Sequence, residues 1–427
     1  MTILYIDNFR GFQSTYIPLR EINFFVGENS TGKSSILKLL GILSSQGFWR
    51  YNIFGEKETS LGNFSEIITQ GSDKAYFEIA FVGTKSETSA VHSAVKFRFI
   101  EKDGYPVPKE ISYRDDLINL QVTIEGRLLK YRYQMLGPEE ADLQDVVDFK
   151  NWIGGNNLKS EIFKRTNLDV TSSLAILRQL QIIISLDKNK SHKKASVNIS
   201  APEMLTKVAW FAPSVVAPEK VYNLMPLVFT STGLHFATLL QDIIEGPNVK
   251  QILSRFGKDS GLFDDVNVKK LDTIADDAFE IQITIGNKKL NLVNVGYGVS
   301  QILPLILEAI ARPDGTWLSC QQPETHLHPR AQAAFGEFIF KSNQLDHQKF
   351  IVETHSDYII DRYRLRLKRA IKEDQKSQGG QVAFFHSKNN QNYVELIDIQ
   401  PDGSYADKQP AEFRDFFLTE QLNLLRL

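Results

Sequence analysis

The sequence predicts an α/β fold: a mixed sheet that carries an antiparallel β lobe and a helical insertion. Three observations make that prediction. A strand-like run, "INFFVG", leads into a Gly/Ser-rich turn and then into "KSSILKLLGILSS", which is apolar at helical spacing. From about residue 75 to 134, four extended runs are separated by Gly-containing breaks, the pattern of an antiparallel meander. From about residue 207 onward strands alternate with helices, which argues for a mainly parallel, doubly wound sheet.

Taken in order, the first 27 residues read as the short strands "TILYID", "STYIPL" and "INFFVG". The meander is built from "AYFEIAFVG", "AVKFRFIE", "LINLQVTIEG" and "LLKYRYQML". Between about residues 138 and 206 the periodicity turns helical in "EEADLQDVVDFKNWI" and "SSLAILRQLQIIISL". The second of these runs into "DKNKSHKKAS", a basic loop that reads as the solvated tip of the insertion, with a DNA contact as the alternative. After "VAWFAP", the run "FEIQITIGNKKLNLVNV" has the look of a hairpin about Gly286-Asn287. A helix from about Val299, the strand "TWLSC", a helix from Pro329, the strand "QKFIVET" and a helix from about residue 356 to 371 follow. The strands "QVAFFHS" and "NYVELIDI" close the sheet. The expected division is residues 1–100 for the first half of the core, 101–206 for the insertion and 207–427 for the second half.

Bulk properties bound the function classes. The 427 residues suffice for two or three domains with cores of their own. A formal net charge of −2 gives no overall pull toward nucleic acid, so any basic surface must be local. The single cysteine, Cys320, excludes an internal disulfide framework and suits a reducing compartment. The chain start lacks a secretory pattern, and no run reaches the roughly 18 uncharged apolar residues of a membrane span. The expectation is a soluble, cytoplasmic protein with no membrane partner.

The stretch "GENSTGKS", residues 27–34, matches the P-loop pattern in full, with the strand before it and the amphipathic helix after it that the motif requires. Glycines at Gly27 and Gly32 let the backbone of Glu28, Asn29, Ser30 and Thr31 wrap a polyphosphate with N–H groups pointing inward. The helix start, with Ser35 in its first turn, adds partial positive charge there. Lys33 is placed for the β- and γ-phosphates, and Ser34 offers a hydroxyl to Mg2+. This chemistry calls for a nucleoside triphosphate.

Three further stretches follow in a definite order: "NVGYGVSQILPLI", "CQQPETHLHP" and "FIVETHSDYI". With "NFRGF" ahead of the P-loop and Asn29 inside it, the chain resembles the ABC/SMC-like superfamily. More narrowly, "HLHP" and "ETHS" are similar to signatures of the OLD family and related AAA-type ATPases. The resemblance implies a P-loop NTPase of ABC/SMC-like type that holds ATP and Mg2+. It implies that Gly296, Gly298 and Ser300, with Gln301 beside them, reach the γ-phosphate bound by a second copy, in a homodimer with nucleotide sandwiched between subunits. His355 takes the place of the switch histidine, and Gln70 is a loose match to the glutamine that senses magnesium.

One departure bears on chemistry. Where relatives carry at least one acid, this sequence has Gln321 and Gln322. A glutamine can accept a hydrogen bond from metal-bound water but brings no negative charge, and it cannot take a proton. Three explanations stand: Glu324 supplies the carboxylate, the chain hydrolyses so slowly that it works as a binding switch, or a Glu was replaced by Gln to trap the bound state. His326 and His328 read as structural or phosphate-network residues rather than a zinc pair, with no third ligand nearby.

About 55 residues follow the helix after His355, which reads as too short for a separate nuclease domain. That matches anti-phage systems such as Septu, PARIS and some retrons, where an ATPase of this general type controls a separate effector. The alternative is an SMC-like DNA repair or maintenance ATPase, for which the insertion is short of a coiled-coil arm. A transporter ATPase fits poorly, because the signature is not Leu-Ser-Gly-Gly-Gln. Along residues 361–372, Arg362, Arg364, Arg366, Lys368, Arg369 and Lys372 form a basic helix, solvated or intersubunit by default, with nucleic acid or an acidic partner as the other option. The closing "AEFRDFFLTEQLNLLRL" reads as a helix with two apolar stripes.

Overall fold

A computed structural model describes the chain except for residues 1, 56–57, 86–90, 138–142, 144, 156–157, 159–161, 168–171, 190–197, 201, 214–216, 272–276, 376, 408, 411–412 and 414–427. Most of the basic loop after residue 187 and nearly all of the closing helix expected from residue 411 lie outside the described residues.

In chain order the elements are β1 (Ile3–Asp7), β2 (Thr15–Pro18), β3 (Ile22–Gly27), α1 (Lys33–Ser44), α2 (Gln46–Tyr51), α3 (Phe64–Ile67), β4 (Tyr76–Thr84), β5 (His92–Lys102), β6 (Tyr105–Arg114), β7 (Ile118–Glu125), β8 (Leu128–Met135), α4 (Val146–Gly154), β9 (Lys164–Asn167) and α5 (Ser173–Asn189). They continue with β10 (Val208–Phe211), β11 (Tyr222–Asn223), α6 (Phe236–Ile243), α7 (Pro247–Ser260), β12 (Asp265–Lys270), β13 (Ala278–Ile285), β14 (Lys288–Asn291), α8 (Tyr297–Ala311), β15 (Trp317–Gln321), α9 (Pro329–Asp346), β16 (Lys349–Glu353), α10 (Asp357–Lys372), β17 (Gly380–Lys388) and β18 (Gln391–Ile399). Two compact units result: residues 1–20, 28–208 and 386–394, and residues 21–27, 209–385 and 395–427.

The first unit holds the antiparallel lobe, an eight-stranded sheet in the order β2-β1-β4-β5-β6-β7-β8-β9. Period-two alternation shows why β5 is a strand: Val95, Phe97 and Phe99 are buried on one face. Lys96 and Arg98 point the other way, toward Glu78, at 3.6 and 2.8 Å. Phe77 stacks on Phe99 at 5.0 Å between ring centroids, and Phe48 of α2 packs edge-on to Phe97. α4 covers the opposite face, where Phe149 and Trp152 join Ile3, Tyr5, Ala80 and Val82 in a second small core.

β9 departs from the helical expectation for residues 138–206. It pairs antiparallel with β8, Leu128 opposite Asn167 and Tyr131 opposite Lys164. Its sequence, "KRTN", has no apolar alternation, so backbone hydrogen bonding to an available strand edge makes it a strand where side-chain patterning is silent.

The second unit holds the six-stranded sheet, order β10-β15-β16-β3-β17-β18. Neighbours from β15 through β16 and β3 to β17 run parallel, as the strand-helix alternation predicts. Phe24, Val26, Leu318, Phe350, Val352, Val382 and Phe384 lie in one core with residues of α6, α7, α8, α9 and α10. A second sheet, β11-β13-β12 with β14 paired to β13, contains the expected hairpin, with Ile285 opposite Lys288 across Gly286 at φ 58°. α6 and α7 were not anticipated. Pro247 at the first turn and Gly261 at φ 73° just past the end bracket α7, the usual start and stop signals.

α6 and α8 meet through a buried polar hub. His235 Nε2 hydrogen-bonds Glu308 Oε1, and Arg312 Nε donates to Glu308 Oε2 at 2.7 Å. Burial pushes the Glu308 pKa up, but the His235 hydrogen bond and the Arg312 charge outweigh it, and the net shift is downward. Among the described residues no helix is long and apolar enough to cross a membrane.

Candidate functional site

β3 ends at Gly27, and the chain turns through Glu28, Asn29, Ser30, Thr31 and Gly32 into α1. The turn needs left-handed backbone at Gly27 (φ 133°), Ser30 (64°) and Gly32 (90°). A Cβ on Gly27 would strike the Phe385 carbonyl of β17, and one on Gly32 the ring of Phe12. Glycine is therefore required at both positions. The N-cap residue of α1 is Gly32, which has no side chain to cap the helix start.

Glu28, Asn29 and Ser30 are exposed, whereas Thr31 and Lys33 are buried. Lys33 Nζ donates to the Glu28 carbonyl at 2.5 Å, and Thr31 Oγ1 donates to the same oxygen at 2.8 Å. Ser34 is half-buried. Ser35 is held from behind: its Oγ accepts from Arg10 Nη1 at 3.2 Å, and Arg10 Nη2 also donates to the Leu61 carbonyl. Arg10 belongs to "NFRGF", whose loop is fastened by Asn392 Nδ2 donating to the Arg10 carbonyl and by the Gly11 N–H donating to Thr69 Oγ1. Gln70, exposed, comes next after Thr69, so the structure sets it on the same loop cluster of the first unit.

The segment after β15 lies in the second unit. Gln321 closes the strand, 9% exposed, and its Oε1 is buried without a hydrogen-bond partner. The chain leaves the sheet through Gln322 in left-handed conformation, φ 47°. The Gln322 N–H donates to the Glu353 carbonyl at 2.8 Å, and its own carbonyl accepts the Thr325 N–H and hydroxyl. Strain of this kind persists where surrounding contacts impose it, often beside functional groups.

Glu324 then folds back. Its Oε1 accepts the His355 backbone N–H at 2.7 Å, while Oε2 is buried without a hydrogen-bond partner. Burial raises its pKa, opposed by the hydrogen bonds from His355 and Thr354. A carboxyl with one satisfied and one unused oxygen is chemically suited to accept a proton.

The two histidines of "HLHP" have separate positions. His326, at φ 63°, is exposed and meets the Tyr297 ring edge-on at 4.9 Å. His328 is the N-cap of α9, its Nδ1 accepting the Arg330 N–H at 3.2 Å. The first turn of α8 joins this turn. A Cβ on Gly298 would come within 2.9 Å of the His326 carbonyl, so glycine permits the close approach, whereas Gly296 faces open space. Ser300 is buried, and its Oγ donates back to the Tyr297 carbonyl at 2.8 Å, inside the helix. The structure thus brings Gly298, Gln322, Glu324 and His355 into one loop cluster. Ser300 faces inward.

His355 is exposed at the end of β16, just ahead of α10, whose N-cap Ser356 accepts the Ile359 N–H and donates to Gln332 Oε1 at 2.6 Å. Along α10, Arg362 pairs with Glu337, Arg364 with Asp361, and the Arg364 guanidinium lies 3.8 Å from the Tyr405 ring centroid. Those charges serve the unit itself. Lys368, Arg369 and Lys372 are exposed.

Two residues were missed at the sequence level. Arg10 carried no chemical role until its bond to Ser35 appeared. Glu353, 2% exposed, stands directly beside Gln321 in the parallel pairing of β15 and β16. The unused Gln321 Oε1 and Glu324 Oε2 are hard oxygen donors that fit magnesium. Among the described residues no group of three His, Cys, Asp or Glu is gathered, so the ion would rely on nucleotide oxygens and water, as Mg2+ commonly does.

No curated protein matches the chain. Solved structures with partial likeness include an Smc head bound to the C-winged helix domain of ScpA, 13% identical over 93% of this chain and 97% of that one, TM-score 0.47. An Smc head with an extended coiled coil bound to the C-terminal domain of ScpA, from Pyrococcus furiosus, is 13% identical over 100% and 99%, TM-score 0.42. The SMC head from Thermotoga maritima is 12% identical over 92% and 97%, TM-score 0.36. The family model described as "AAA ATPase domain" matches residues 1–195 and 156–360; the chain belongs to the AAA ATPase domain family.

Proposed function

We propose that this protein binds ATP with Mg2+ and hydrolyses it slowly. The carrying observation is Lys33, buried at the start of α1 directly after a loop bounded by the left-handed Gly27 and Gly32, with its ammonium on the loop's own carbonyl. In this reading the backbone from Gly27 to Gly32, with Lys33 and Ser35, holds the phosphates, and Ser34 supplies the hydroxyl for magnesium, with Gln70 and Gln321 bearing on its water. Bound magnesium would offset charge on the phosphates. Glu324 is the proton acceptor, His355 steadies the γ-phosphate end, and Gln322 contributes through its strained turn rather than as an acid.

The same reading assigns Gly296, Gly298 and Ser300 to the helix start that meets the nucleotide of a second copy, with the Ser300 hydroxyl released from the Tyr297 carbonyl it meets here. It makes the protein an OLD-like regulatory ATPase that controls a separate effector, such as a nuclease, in anti-phage defence. Support for that last step is the ordered set of motifs, an argument by analogy. An SMC-like DNA maintenance role gains no specific observation.

The test is direct. ATP binding should vanish in Lys33→Ala, and sedimentation with ATP and Mg2+ should show the monomer becoming a dimer. A chain that stays monomeric and has no affinity for ATP refutes the reading. For the defence role, phage plating on cells with and without the gene and its neighbours is the measurement, and unchanged plating removes it.

A further inference from the structure

The acids missing from β15 have a counterpart one strand away. In the parallel register Gln321 pairs with Glu353, and Glu353 in turn pairs with Phe25 of β3. Paired residues on neighbouring strands present their side chains to the same face, with backbones roughly 4.8 Å apart. Phe25 and Gly27 share that face by the two-residue period, so Glu353 and Gln321 stand one step below the glycine that opens the phosphate loop. These are the carboxyl ends of parallel strands, where ligands of such sheets bind.

Burial sharpens the point. Glu353 is 2% exposed, an expensive place for a carboxylate. Gln321, nine-tenths buried beside it, holds an amide oxygen with no hydrogen-bond partner, and Glu324 holds a second unused oxygen. Unused buried acceptors at one strand end call for a donor from outside the chain, such as metal-bound water.

Resting on the nucleotide-binding reading above, we infer that Glu353 carries the negative charge toward magnesium that β15 lacks, with Gln321 accepting from the ion's water. The charge stands one strand away from β15, where a motif comparison along β15 alone does not find it.

The experiment measures ATP affinity by titration calorimetry with and without Mg2+. The unaltered chain should bind more tightly with the metal. Glu353→Gln should keep its metal-free affinity and lose about 10–100-fold of the magnesium gain, the usual scale for residues that act on a metal through its bound groups. The double variant Gln321→Glu/Glu353→Gln, which returns the acid to β15 at constant charge, should recover the gain. This variant also serves if Glu353→Gln alone fails to fold. A Glu353→Gln protein with its full magnesium gain, or a double variant that binds ATP without any, overturns the inference. An unaltered chain that binds ATP equally with and without Mg2+ overturns it as well but leaves nucleotide binding intact; no affinity at all removes both.

Discussion

Glu308 and Glu324 are both poorly exposed carboxyls of the second unit, and their surroundings drive them in opposite directions. Glu308 has both oxygens engaged, one by His235 and one by Arg312, and its pKa is lowered. Glu324 has one oxygen on the His355 N–H and the other unused, and its pKa is raised. A buried acid whose partners all come from the fold is part of the scaffold. One that the fold leaves half-satisfied points to a ligand. The contrast sets a carboxyl satisfied by the fold against one left half-open within the same compact unit.

The largest effect is expected for Glu308→Ala. It strands His235 and Arg312 at a helix contact and should cost about 3–5 kcal/mol of unfolding free energy, read from urea melts. A loss below 1 kcal/mol would place Glu308 outside the scaffold. Next comes Glu324→Gln, which should lower ATP turnover by about 10²–10⁴ while ATP affinity and folding hold. Unchanged turnover in a phosphate-release assay would return the proton acceptor to another group.

The pH dependence sharpens the same contrast, because the signs differ. Glu308, with its pKa lowered, contributes stability above the ordinary value of 4.5 that is lost as pH falls through its folded value. Glu324, with its pKa raised, favours the protonated folded state. Its contribution is present below 4.5 and lost as pH rises through its folded value. Glu308→Gln should therefore flatten the acid limb of a stability profile, and Glu324→Gln the limb above it. The smallest effect is expected at Ser356, where Ala removes the cap of α10 at a cost of about 1 kcal/mol in thermal unfolding.

What the sequence made legible follows from how locally each feature is written. The phosphate loop is eight consecutive residues whose glycines, lysine and flanking periodicity all lie in one window, so the turn that the structure forms there is readable in order. β4, β5, β7 and β8 of the meander are likewise declared by alternation and glycine breaks; β6, which carries Pro106 and Pro108, was not anticipated and is a strand by its pairing with β5 and β7. β9 carries no alternation and exists because an edge was open. The nearness of Glu353 to Gln321 is a matter of strand register, set only when β15 and β16 pair. His328 reads in the sequence as a structural or phosphate-network residue, and only the structure shows that its ring caps a helix. Ser300 looks like a phosphate contact, yet its hydroxyl turns back into α8.

Lys33 carries one more consequence. Because its ammonium already rests on the Glu28 carbonyl, an arriving anion displaces a neutral dipole rather than bulk water. The gain is the difference between those two partners, and it grows with the charge the visitor brings. Such a loop is expected to rank nucleotides by how many phosphates they have: a nucleoside would give it no reason to let go of itself, and each added phosphate would give it more.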